Sequence, residues 1–418
     1  MTSIPGGGDR DQAEASAAGG RTTRAFSALG GRTTRAFSAF RSVWRRTAAR
    51  GADRRVALDI GSSSVKLLEM RGSGEAAEVL RAGAAPVPEG ALRSNAVADV
   101  VAVSAVIRQL AGRLGVTARR AVTAVPGPAV IVERMRLPLR PEDDLETVLM
   151  IEAASFIPES LDNVSLDYQV LRADQDAAEV LVVAVRKDIL AGFTRAITDA
   201  GLEPTVVDVD CFALESMFER NYETGPEDVV ALINVGARYS TIAVVKGGRS
   251  VAVGDVQAGG ASIVEALVEA TGASCADAGG ALGREAAALD RREAAVLERR
   301  EAAVSDRPEA APPERGASLQ RVVSTRVAEL ADAIEETLRF LWRTASGEPL
   351  RALYLSGGGA RIAGLGERLA ARVGAPVEIA NPLARVRVSR EVDAAYLEAL
   401  APTLAVAVGL GIRRVDDA

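Results

Sequence analysis

The sequence predicts an α/β fold made of two similar halves that face each other across a cleft. Three observations carry that prediction. First, VALDIGSSSVKLLEMR at 56–71 reads as strand, tight turn and strand, and the pattern returns as LINVGARYSTIAV at 232–244. Aligned without gaps, Asn234 takes the place of Asp59 and Gly236 that of Gly61. Second, short apolar runs alternate with stretches whose apolar residues recur at helical spacing, the pattern of strands covered by helices. Third, glycine-rich turns stand where strands end: Gly61, Gly236, Gly259-Gly260 and Gly357-Gly358-Gly359.

The first turn, Gly61-Ser62-Ser63-Ser64, offers small side chains, hydroxyls and approachable backbone N–H groups. Such a concavity suits phosphate oxygens. Lys66 adds positive charge, and Asp59 stands where a carboxylate can hold the water shell of Mg²⁺. Taken singly the element is equally well an ordinary hairpin; its repetition favours a pair of phosphate loops.

A helix is expected over 96–114 and a strand over 120–125, stopped by Pro126-Gly127-Pro128. Residues 136–204 read helix, strand, strand, helix, with acids in the first turn where the helix dipole favours them and Gly201 closing the last helix. Residues 205–210 form an apolar strand ending in Asp208 and Asp210, then a helix runs to about 220. Three strands follow, with Gly247-Gly248 as a hairpin turn. Gly259-Gly260 opens a helix over 261–270 whose first N–H groups suit a phosphate. A long amphipathic helix spans 318–346, strands fall at 353–356 and 376–380, and 402–412 is an apolar helix.

The domain reading is accordingly as follows. Residues 1–54 are a basic low-complexity extension, 55–135 the first part of domain I, and 136–204 a subdomain inserted into it. Residues 205–228 supply the interdomain strand and helix, and 229–380 form domain II, with a charged low-complexity insertion at 276–317. Residues 381–418 return to domain I.

Composition narrows the function. Residues 1–50 carry a net charge of about +6 and the remainder −12, so the folded body is a poor nucleic-acid binder. The sequence contains no His, which removes His-based triads, His-metal sites and His general bases. Cys211 and Cys275 have no metal-type spacing, and reduced cytoplasmic thiols are expected. No run of about 18 apolar residues and no signal-peptide core is present. GRTTRAFSAL at 20–29 is repeated at 31–40 with a period of eleven, close to three helical turns. Two readings stand for 21–46: a basic amphipathic helix on an anionic membrane, or a solvated tail broken at Gly30-Gly31. The SGGGARIAGLGERL stretch lacks the G-x-G-x-x-G spacing of a dinucleotide site, and no G-x-x-x-x-G-K-[ST] phosphate loop occurs.

Two phosphate loops and a third glycine-rich turn, in this order, resemble the nucleotide site of the actin-like ATPase superfamily. Within it, LDIGSSSVKLLEM, AVTAVPGPAVIVERMRLP, IEAASFIPESLDNVSLDYQVL, VLVVAVRKDIL, AGLEPTVVDVDCFAL and LSGGGARIAGLGERLAARVGAPVEIANPL are similar to the PilM family of type IV pilus assembly proteins. The resemblance covers roughly 55–275 and 318–412, and IPESLDNVSLDY is its most specific block.

That resemblance implies an actin-like ATPase fold, two duplicated domains around a nucleotide cleft, with the insertion shared with the cell-division protein FtsA. It implies ATP between the domains. Asp59 (to Mg²⁺ through water), Gly61, Ser62, Ser63 and Lys66 would meet the phosphates from one side, Asn234, Gly236, Gly259 and Gly260 from the other. Gly357, Gly358 and Gly359 would let backbone approach adenine and ribose. Asp210 falls where the superfamily positions a water for hydrolysis, one methylene shorter than the family's usual Glu. Asn234 carries no charge to organise Mg²⁺ where an Asp is usual, so nucleotide binding with slow or no ATPase turnover is expected. The implied partner is the N-terminal cytoplasmic peptide of PilN, a bitopic membrane protein, docking as an extended segment in a groove between the first domain and the inserted subdomain, with Ile157, Pro158 and Leu161 as candidates. Pilus ATPase machinery is a further implied partner. The protein would be cytoplasmic and peripheral to the inner membrane through its partners. An FtsA-like division filament, a type II secretion relative and a small-molecule kinase of the superfamily are the competing readings.

Overall fold

The computed structural model describes residues 54–140, 143–174, 176–272, 274, 313–345 and 347–413. The basic N-terminal repeat, Cys275 and residues 276–312 of the charged insertion lie outside the described residues. The chain divides into two units; among the described residues the smaller holds 134–160 and 167–182, and the larger holds the rest.

In the larger unit β1 (Arg54–Ile60), β2 (Ser64–Arg71) and β3 (Glu78–Pro86) make an antiparallel meander. The sequence shows the first two and conceals the third, whose EVLRAGAAP alternates poorly and pairs through its backbone. β4 (Leu92–Arg93) and β5 (Ala96–Val97) form a two-rung hairpin. Its turn residues Ser94 and Asn95 have φ of 49° and 62°, the left-handed pair a type I′ turn requires. This hairpin occupies the start of the expected helix, so α1 (Val100–Leu114) begins at Asp99, whose carboxylate accepts the Ala102 N–H at 2.9 Å. Gly115, at φ 64°, closes it. Val103, Ile107 and Leu110 form its buried stripe. β6 (Arg120–Val125) then runs parallel to β1.

A three-stranded sheet is formed by β7 (Val130–Pro138), β8 (Val164–Ala173) and β9 (Ala177–Arg186), with β9 in the middle, and the smaller unit holds the greater part of each strand. Its helix α2 (Leu145–Phe156) is capped by Asp144, which accepts the Thr147 N–H at 3.1 Å. Arg134 pairs with Glu179 at 2.7 Å and Arg136 with Asp174 at 3.3 Å.

Helix α3 (Lys187–Asp199), which the sequence reading groups with that sheet, places Leu190, Phe193, Ala196 and Ile197 in the core beside α1 and β1. β10 (Glu203–Val209) joins β6, and α4 (Asp210–Asn221) follows it. The second half repeats the design. β11 (Val229–Val235), β12 (Ser240–Lys246) and β13 (Arg249–Val256) are the meander. After α5 (Ala261–Thr271) and α6 (Pro313–Ala345), β14 (Leu350–Ser356) lies parallel to β11. α7 (Leu365–Val373) leads to β15 (Val377–Ile379), parallel to β14. β16 (Arg387–Val388), α8 (Ala394–Leu400) and α9 (Ala405–Ile412) complete the described chain.

The sheets run β10-β6-β1-β2-β3-β16 and β13-β12-β11-β14-β15. Read outward from β1 or β11, each has an antiparallel meander on one side and parallel strands on the other, so the duplication seen in two short motifs extends to the topology. Helices cover both faces of each sheet, which is why the central strands are apolar on both sides. α4 and α9 occupy the core that joins the inner faces of the two sheets. The stretch 394–412 is long and apolar enough to cross a bilayer by length and composition, but all eight residues of α9 are buried in that core.

One buried carboxylate braces the first sheet. Glu69, 2% exposed, accepts hydrogen bonds from the Thr117 N–H (3.1 Å), the Thr117 hydroxyl (2.8 Å) and the Ala118 N–H (2.9 Å). Replacing it with alanine strands two backbone donors, and Glu69→Ala is expected to cost about 2–4 kcal/mol in urea unfolding.

Candidate functional site

The two hairpin turns are built alike. Asp59 and Lys66 are cross-strand partners in one, Asn234 and Thr241 in the other, one rung before the strands part. Each turn closes on itself: the Gly61 N–H donates to Ser64 O and the Gly236 N–H to Tyr239 O, both at 3.1 Å. A cleft of about 330 Å³ lies between them. Gly61 and Ser62 line one side, and Ala237, Arg238, Tyr239, Ala258, Gly259 and Ser262 the other. Ser94 and Asn95 at the tip of the β4–β5 hairpin also line it. The sequence reading passed over both.

Behind Gly61, the Lys66 Nζ lies 3.1 Å from Asp59 Oδ2, with both side chains mostly shielded. Ser63 is exposed, does not line the cleft, and uses its carbonyl to accept the Val87 N–H.

The remaining glycine turns gather at the end of β11. The Gly260 N–H donates to Gly236 O (3.0 Å), the Ala261 N–H to Ala237 O (2.8 Å) and the Gly359 N–H to Val235 O (2.9 Å). Gly357 needs glycine twice over: its φ is 85°, and a Cβ there would lie 2.7 Å from Asn234 Oδ1 and overlap Val235 O. A Cβ at Gly259 would press on Gly236 O at 2.5 Å. These turns are therefore held by backbone contacts that only glycine permits. Gly358 is exposed, with open space where a Cβ would stand. The Asn234 carboxamide oxygen accepts from the Ser356 hydroxyl at 3.2 Å, so it supports the glycine turn.

Asp210 opens α4 and is 5% exposed. Its Oδ1 accepts the Gly127 N–H at 2.9 Å, and its Oδ2 accepts the hydroxyls of Tyr239 (2.9 Å) and Thr241 (3.3 Å). Thr241 Oγ1 also lies 3.0 Å from Asp255 Oδ1 at the end of β13. Burial, reinforced by the charge of Asp255, pushes the Asp210 carboxyl up to about 7. Burial also raises Asp255 to about 6 and carries the Tyr239 hydroxyl well above its usual range. Glu215, one and a half turns along α4, is raised to about 8 by burial while taking a hydrogen bond from Ser250. Tyr239, Thr241 and Asp255 were not singled out from sequence, because their role arises only where β12, β13 and α4 meet. Among the described residues no group of three or more His, Cys, Asp or Glu could hold a metal ion on its own. Of the apolar residues suggested for partner docking, Ile157 is buried, Leu161 half-buried and Pro158 exposed.

Comparison with known proteins finds relatives of the whole chain. A solved structure described as the PilM-PilN type IV pilus biogenesis complex matches with a TM-score of 0.72 at 25% identity, covering 87% of this chain and 100% of that one. The ethanolamine utilization protein EutJ from Carboxydothermus hydrogenoformans matches at a TM-score of 0.47 and 14% identity, covering 90% of this chain and 98% of that one. MreB5 of Spiroplasma citri bound to AMPPNP matches at 0.43 and 11%, covering 85% and 94%. The fold is that of the actin-like ATPases. The family model for type IV pilus assembly protein PilM matches residues 57–297 and 301–415, and with the duplicated hairpins and converging glycine turns this places the chain in the PilM family.

Proposed function

We propose that this protein is a nucleotide-dependent scaffold of type IV pilus assembly. It binds Mg-ATP in the cleft, turns it over slowly or not at all, and holds the cytoplasmic N-terminal peptide of a PilN-like inner-membrane protein. The observation that carries this reading is the cleft between the two hairpin turns, lined by Gly61 and Ser62 on one side and by Ala237, Arg238, Tyr239 and Gly259 on the other, with the 357–359 turn bonded to Val235 outside that lining. The match to a PilM-PilN complex supports the partner. The smaller unit is then the FtsA-type insertion, and the protein sits at the cytoplasmic face of the inner membrane through its partner.

Because the amides of Gly61, Gly236 and Gly260 already bond within the fold, and Ser63 stands outside the cleft, the phosphate donors we assign on the first side are Ser62 and Lys66. Gly236, Gly259 and Gly260 shape the opposite wall, braced by Asn234, and Gly357, Gly358 and Gly359 border the nucleoside. Asp59 is the carboxylate we assign to Mg²⁺ through water. A single carboxylate beside phosphates and a lysine fits an ion that keeps most of its own waters. When bound, Mg²⁺ neutralises phosphate charge. A nucleotide bridging the two walls biases partner binding only through a difference in affinity between open and closed states.

Lys66→Ala is expected to weaken Mg-ATP binding at least about tenfold in calorimetry, the loss of one charge-assisted contact. Unaltered affinity, or a wild-type chain that ignores millimolar Mg-ATP, would remove the nucleotide reading. Failure of the full chain to retain a PilN N-terminal peptide in a pull-down would remove the partner.

A further inference from the structure

Asp210 is the residue to which the resemblance assigns a water for hydrolysis, yet its surroundings are those of a fastener. Its two oxygens accept the Gly127 N–H and the Tyr239 hydroxyl, the Thr241 hydroxyl lies within 3.3 Å, and the residue is 5% exposed. The donors come from both halves: the Gly127 amide from the turn after β6, and the Tyr239 and Thr241 hydroxyls from the second hairpin. A further contact runs the other way. The Asp255 carboxylate of β13 lies so close to Gly127 that a Cβ there would stand 2.6 Å from Oδ2 and 2.7 Å from Oδ1. Only glycine at 127 allows the second half to approach this far.

We propose that Asp210, Tyr239, Thr241 and Asp255 form a clasp that fastens the second hairpin onto the 126–128 turn, and that Asp210 is a latch residue rather than the group that positions a water. The clasp deepens the cleft reading by naming what holds the cleft shut, and it rests on that reading for its link to nucleotide.

Its chemistry contains a built-in constraint. The single Thr241 hydroxyl proton can be donated to Asp210 or to Asp255, not to both, although each has an oxygen within 3.3 Å. A proton carried by one of the two acids completes the set; without it two carboxylates face each other in a shielded space and repel. The other charged neighbour of Asp210 is Asp59 of β1, itself paired with Lys66. High pH therefore unfastens the clasp, and the upward displacement of both carboxyls agrees with that direction.

The test is hydrogen exchange by mass spectrometry on the full chain without nucleotide, corrected for intrinsic exchange rates, following peptides that cover 126–130 and 238–243. Protection there is expected to fall at least tenfold in Tyr239→Phe and in Gly127→Ala at pH 7, with the α1 peptides unchanged. The wild type is expected to lose protection at the same sites between pH 6 and pH 8.5, while Asp210→Asn, neutral throughout, keeps it. Equal protection in wild type and Tyr239→Phe, together with no pH response, would overturn the clasp. So would an Asp210→Asn chain whose ATP turnover drops a hundredfold while its protection matches wild type at every pH, since that marks a water-positioning group. A chain that binds no nucleotide refutes the function proposed above and leaves the exchange result to decide the clasp by itself.

Discussion

Gly409→Ala is expected to be among the most damaging single-methyl additions in this protein. Gly409 sits in α9, where the helix crosses α4 so closely that a Cβ would overlap the carbonyl oxygen and carbon of Ala213. The obstacle is backbone, which cannot rotate away as a side chain can. The helices must separate, and with them the packing of Ala57, Leu68 and Met70 from the first sheet and of Val230 and Leu232 from the second. Gly411 is also closely packed, but there a Cβ would meet the Met70 side chain, which can shift, so the larger effect belongs to Gly409. Overpacking a core costs about 1–3 kcal/mol where side chains can yield, so a backbone overlap of this kind is expected to cost about 3–5 kcal/mol. Urea unfolding measures it, with Gly112→Ala as the control. Gly112 is exposed in α1 with nothing within 4 Å of a Cβ. There alanine is expected to stabilise by up to about 1 kcal/mol, through helix propensity alone.

The second large effect is on pH dependence. Asp210 rises from an ordinary 3.8 to about 7 in the folded protein, and Glu215 from 4.5 to about 8, both chiefly through burial. For an acid whose folded value is the higher one, the folded state binds the proton more tightly. The stability this confers is fully present below the unfolded value and is lost as pH rises through the folded one. The window is therefore about pH 4 to 8, and stability is expected to decline across it, opposite to the usual effect of salt-bridged carboxylates. Each unit of displacement corresponds to about 1.4 kcal/mol, so Asp210 alone accounts for on the order of 4 kcal/mol between pH 4 and pH 8.5. Asp210→Asn is expected to raise the melting temperature at pH 8.5 and to flatten the profile from pH 6 upward. A wild-type profile that rises with pH over this range would contradict the burial argument.

How much of this was legible beforehand depended on whether a feature was local. The hairpin turns could be read because Asp59 and Gly61 recur as Asn234 and Gly236, and the observed cross-strand register matches the gapless alignment. The 357–359 turn could be read because three consecutive glycines have few other uses. Ala96 and Val97 hid the start of α1 at Asp99, since they share the helix's apolar character but pair with Arg93 and Leu92. β3 was lost because its alanines and glycine carry no alternation. Asp255 was illegible for a different reason: nothing in AVGDVQAGG shows that its side chain meets a glycine 128 positions earlier. The sequence could single out Asp210 as an acid at the end of an apolar strand, but not that its oxygens were already engaged.

The late arrival of α9 in the chain has a consequence for synthesis. The inner face of the first sheet emerges from the ribosome with β1 and β2, yet the helix that covers it follows about 350 residues later. Until then Ala57, Leu68 and Met70 have no lid, and the nascent chain carries an open apolar surface that a chaperone or a premature neighbour can occupy.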